Sequence, residues 1–106
     1  MQNTEIKELA DRLNLEPEEF RELLALFVSS TREEIGQLRE ALSENNLERA
    51  SQLVHSFKGA AVNLGLNEIA AHGEKLQAAI KNLEDIDIES LIEKVLYEIE
   101  RLAGYL

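Results

Sequence analysis

The chain has 106 residues, 44% hydrophobic and 30% charged, and 21 acidic against 11 basic side chains leave a formal charge of −10. That length and apolar content suit one folded domain, expected over residues 1–106, while the charge disfavours nucleic acid and anionic membrane surfaces, which attract cations. The absence of cysteine excludes disulfides and thiolate metal sites. No apolar run approaches a membrane span, and the polar, periodic segment 1–10 does not read as a signal peptide, so a cytoplasmic location is expected.

Ile6, Leu9, Ala10 and Leu13 recur at helical spacing after Asn3 or Thr4 as a cap, which predicts a short first helix interrupted at Asn14. Pro17 suits a first helical turn, with Glu18 and Glu19 near the positive end of the helix dipole. Phe20, Leu23, Leu24, Phe27, Val28, Ile35, Leu38 and Leu42 then form one apolar stripe, so a second helix runs from about Pro17 to Leu42. Asn45 and Asn46 supply a turn and a cap. Leu47, Ala50, Val54, Phe57, Ala61 and Leu64 mark a third helix, and Gly65 suits its end.

Asn67 is expected to cap a fourth helix that turns Ile69, Gly73, Leu76, Ile80 and Leu83 inward. Asp87 is expected to cap a fifth, burying Ile88, Leu91, Ile92, Val95, Leu96, Ile99 and Leu102. No strand pattern, internal repeat or domain linker is visible. The expectation is an all-α fold: an antiparallel four-helix bundle with a short additional N-terminal helix packed across one end.

Helical phase singles out His55. At 100° per residue it lies about 140° from the centre of the third helix's apolar stripe, so it should face solvent. Lys58 and Gly59, three and four residues on, share its side, as do Ser51, Gln52 and Val62. A neutral imidazole nitrogen is a nucleophile, a lysine could offset the charge of an attached phosphoryl group, and a glycine would make room for it. On this geometry alone, an ordinary surface histidine beside an ordinary lysine remains an equal reading.

The run His55-Ser56-Phe57-Lys58-Gly59-Ala60-Ala61-Val62-Asn63-Leu64-Gly65 resembles the signature of histidine phosphotransfer (HPt) domains: histidine, lysine three later, glycine four later, small residues, then glycine at the helix end. The resemblance spans essentially the whole chain and is most specific over residues 54–81. It implies that His55 carries a phosphoryl group, taken from an aspartyl-phosphate receiver domain and passed to the receiver aspartate of a response regulator. It also implies that Gln77, at the place where the family commonly has Gln or Glu, is a hydrogen-bonding neighbour of His55. Gly73 falls where the family often has a small residue or cysteine, and close helix packing is its simplest role.

Several further expectations follow. The partner receiver would supply Mg²⁺, while this chain, expected to be a monomer, would hold no metal or cofactor. Docking is expected around Ser51, Gln52, Val62 and Leu66, with Ile6 or Leu9 contributing, although such side chains can instead finish the core, the more frequent outcome for Leu66. With no Walker-type or kinase glycine-rich loop, the chain is expected to be a carrier and not a kinase. His72 also has a lysine three residues on, but Leu76 stands where a glycine would be needed, so it reads as a partly buried structural histidine. Two rivals remain: a helical adaptor that binds receivers without phosphorylation, and a di-metal bundle enzyme. The second needs paired Glu-x-x-His motifs, and Gln52 and Ile69 stand at the glutamate positions.

Overall fold

A computed structural model describes residues 4–82 and 87–106 of the chain. Among these the regular structure is helical: α1 (Thr4–Arg12), α2 (Pro17–Ser43), α3 (Leu47–Asn63), α4 (Asn67–Asn82) and α5 (Ile88–Ala103). Asn3 as a cap and Leu83 in the fourth stripe lie outside the described residues.

Three turns share one device. Asn14 and Asn45 (φ 58°) and Gly65 (φ 74°) each adopt the left-handed conformation just past a helix end, which asparagine tolerates and glycine prefers. Each turn closes with the same pair of backbone bonds. After α3, Gly65 N–H donates to Val62 C=O (3.1 Å) and Leu66 N–H to Ala61 C=O (2.9 Å), the Schellman pattern that satisfies the last carbonyls of a helix. Leu15 N–H to Ala10 C=O (2.9 Å) and Asn46 N–H to Ala41 C=O (2.8 Å) repeat it after α1 and α2. Such tight reversals make successive helices antiparallel. Asp87 caps α5 as expected, accepting from Ser90 N–H at 3.1 Å. Asn67, expected as the cap of α4, is instead its first helical residue.

Helices α2 to α5 form the bundle, with α3 packed between α2 and α4, and α5 closing the ring against α4 and α2. At 1.5 Å per residue the 27 residues of α2 span about 40 Å, which accounts for the long dimension of 42 Å. The overhanging half of α2 is covered by α1, which lies at the end of the bundle beside the α3–α4 turn and the last turns of α5. Ile6 and Ala10 of α1 are completely buried there, with Leu9 nearly so.

The core runs through all five helices and includes Phe20, Leu24, Leu38, Val54, Phe57, Leu76, Val95 and Ile99, each at 1% exposure or less. Fully burying one such side chain contributes about 1.5–3 kcal/mol, against about 0–1 kcal/mol for an exposed ion pair. The interhelix pairs Arg32–Glu100, with N···O distances of 2.8 and 2.5 Å, and Arg39–Glu89 therefore set how α2 and α5 align more than how stable the bundle is. Two sequence expectations need correction. Leu23, placed in the core stripe of α2, is 41% exposed, because that turn of α2 lies beyond the end of α3. Leu66, expected on the docking face, is 4% exposed, because the Schellman turn folds it back under α3.

Arg101 clasps α1 to α5, donating to both carboxylate oxygens of Glu5 at 2.6 and 2.9 Å while Tyr105 O–H donates to the same carboxylate at 2.7 Å. The Arg101 hydrogen bond, opposed by partial burial and aided by Tyr105, holds the Glu5 carboxyl below its ordinary value of 4.5. The stabilisation is thus present above that unfolded value and is lost as pH falls through the lower folded one. Both side chains are about a third exposed (36% and 35%), so solvent screening limits the contribution to about 0.5–1 kcal/mol. Glu5→Gln should lower the melting temperature by a few degrees at pH 7, and the difference from the parent should vanish in acid melts below the carboxylate range.

Candidate functional site

His55 stands midway along α3 with its side chain exposed, on the strip of surface between α2 and α4. Val54 and Phe57 beside it are buried, so the backbone that carries the ring is anchored to the core. Gly59, one turn on, has nothing within 4 Å of where a Cβ would stand. Its small size therefore serves no internal packing and leaves open space beside the imidazole.

Lys58 is held differently. Its Nζ donates to Glu74 Oε1 and Gln77 Oε1, both at 2.8 Å, from a side chain only 22% exposed. These acceptors lie three residues apart on α4 and so share one face of it. They reach Lys58 because Gly73 lets the helices close: a Cβ at Gly73 would stand 3.1 Å from Lys58 Cβ. The Lys58 hydrogen bond, then its charge, keeps the Glu74 carboxyl below the usual carboxylate range.

The expected site residues thus fall into distinct places. His55, Lys58, Gly59 and Gln77 gather on the α3–α4 side, but the side-chain carbonyl of Gln77 accepts from Lys58, where the family resemblance had implied His55 as its partner. The reason is reach: Gly73 brings the Lys58 ammonium directly over this turn of α4. Gln52 is exposed, Ser51 half-buried and Val62 58% exposed. Leu66, Ile6 and Leu9 belong to the core and cannot form a docking face as packed. His72 is half-buried in a cleft between α4 and α5 with Ser90, Glu93 and Tyr97, and its Nδ1 is buried without a hydrogen-bond partner.

Two features were missed in the sequence. Leu26, 68% exposed and off the apolar stripe, joins Leu23, Ser30, Ser56, Ala60 and Asn63 along a groove between α2 and α3 on the other side of His55. Its signal was a leucine on the polar side of an otherwise regular helix. Glu74 is the second; it falls beside Lys58 once Gly73 is recognised as the contact point.

The fold and site define a helical bundle that presents an exposed imidazole on its surface, with an ammonium anchored one turn away. Residues 22–105 match the Hpt domain family, and the chain belongs to it. It is also 37% identical over 57 residues to the phosphorelay intermediate protein YPD1 of Candida albicans. That segment is 54% of this chain and 31% of the relative, so the chain spans less than a third of that protein's length. No solved structure matches it.

The two helical glycines should respond oppositely to substitution. Gly59→Ala should raise stability by about 0.5–1 kcal/mol, since alanine is the better helix former and meets nothing. Gly73→Val should lower it by about 1–3 kcal/mol by forcing α3 and α4 apart. Urea denaturation of both variants measures the difference.

Proposed function

We propose that the chain is a phosphorelay carrier whose phosphorylated residue is His55. The observation that carries this reading is the anchored, exposed imidazole with open space at Gly59 and the Lys58 ammonium one turn on. Membership of the Hpt domain family and the likeness to a protein named as a phosphorelay intermediate support it.

In this reading the donor is the aspartyl phosphate of a receiver domain, and the acceptor is the aspartate of another. The bare ring nitrogen of His55 forms a P–N bond as the P–O bond to the partner's carboxylate breaks, and the carboxylate leaves with that electron pair. The other ring nitrogen then releases its proton to solvent, and the reverse sequence hands the group on. Lys58, three residues on in the same helix with its Nζ bonded to Glu74 and Gln77, offers the positive charge that would offset a phosphoryl group on His55. The receiver would supply the acidic pocket and Mg²⁺, so this chain need only offer a positioned nucleophile without kinase activity of its own. Gln52 and Val62 flank His55 as contacts, Ser51 lies at the edge, and Leu23 and Leu26 extend the apolar surface towards α2.

Incubation with a phosphorylated receiver and Mg²⁺ should place an acid-labile, alkali-stable phosphate on the parent chain and none on His55→Gln. Phosphate persisting on the variant would move the site elsewhere, and its absence from the parent across a panel of receivers would favour a non-phosphorylated adaptor. Val62→Asp and Leu26→Asp should each slow transfer from the receiver about tenfold while circular dichroism stays helical. A rate unchanged by either substitution would remove that residue from the docking face.

A further inference from the structure

The ion pair at Lys58 differs in kind from the others that join helices. Arg32–Glu100 and Arg101–Glu5 are two-pronged guanidinium–carboxylate pairs. Lys58–Glu74 is a single 2.8 Å contact from a point-charge ammonium to a carboxylate that is 72% exposed. Such a contact is readily exchanged for another anion. Gln77 holds the same Nζ from one turn along α4 but carries no charge. Lys58 therefore has one partner that orients it and another that also neutralises it.

We propose that Glu74 is a positioning residue that competes with the phosphoryl group on His55 for Lys58, and so sets how readily that group is given up. This rests on the carrier reading above. A lysine wholly free to turn towards His55 would stabilise the phosphorylated form and hold the group back. A carboxylate already in contact with the ammonium offsets that attraction, while Gln77 keeps the side chain in place whichever anion it meets. The tightly set Gly73 contact makes the competition local, since it confines the lysine stem between α3 and α4 and leaves only the ammonium head to choose. Glu74 is a carboxylate at neutral pH in any case, and the Lys58 hydrogen bond and charge hold it further below its ordinary value.

The test uses phosphoramidate as a donor that needs no receiver. Its P–N bond breaks as a new one forms to the imidazole, and the ring proton leaves with the ammonia. The ratio of phosphorylated to free His55 is read by intact mass at equilibrium, at fixed phosphoramidate and ammonia concentrations. The chains compared are the parent, Glu74→Gln, Glu74→Asp, Lys58→Met and the double variant Glu74→Gln with Lys58→Met. Glu74→Gln should raise the ratio about two- to fivefold, the range of an exposed charge contact, and the rise should shrink in high salt. Glu74→Asp should return the ratio towards that of the parent. In the Lys58→Met background Glu74→Gln should change nothing. An unchanged ratio in Glu74→Gln, or an equal rise with and without Lys58, would overturn the proposal while the carrier reading stood. A parent chain that takes up no phosphate at His55 would overturn both.

Discussion

The close approach of α3 and α4 at Gly73 is the constraint on which the site depends. With no side chain at that point, the Lys58 stem lies directly against the α4 backbone, 3.1 Å from where a Cβ would stand. A long, flexible side chain loses much rotamer freedom when confined, and the two 2.8 Å bonds from its Nζ offset that loss. The result is a cation fixed one helical turn from an imidazole that is left exposed. The second glycine, Gly59, does the reverse and keeps a surface empty. Two identical residues on adjacent helices thus serve opposite ends, one admitting a neighbour and the other keeping a space clear.

The rest of the molecule ties that surface to the core. His55 lies between buried Val54 and Phe57, on a helix packed on both sides, so its position follows the core and not a loop. In the proposed carrier role His55 would need no enclosing pocket, because docking of a partner would supply orientation. Helix α1 finishes the end of the bundle, burying Ile6 and Ala10 and fastening to α5 through Glu5 and Arg101. It thereby covers apolar side chains of the overhanging half of α2, although Leu23 and Leu26 remain outside its reach. Their exposure beside the α2–α3 groove lengthens the apolar surface next to His55.

Much of this was legible along the chain. Apolar spacing located the helices to within a residue or two, because a helix that buries one face must repeat about every 3.6 residues. Asn14, Asn45 and Gly65 marked reversals because few residues adopt a positive φ without strain. The outward direction of His55 also followed from phase within one helix, and the core residue Leu76 one turn past His72 pointed to its half-buried state, which the described structure places in the α4–α5 cleft.

What one helix cannot encode is its distance from the next. The sequence by itself determined the helices, their turns and the side of α3 on which His55, Lys58 and Gly59 lie. Only the tertiary structure decided that Gln77 meets Lys58, that Glu74 shares that ammonium, that Leu66 turns under α3 and that Leu23 is left outside the core. Those outcomes depend on where α2 outruns α3 and how closely α4 approaches it. Both are set by packing between helices, to which residues far apart in the chain contribute together.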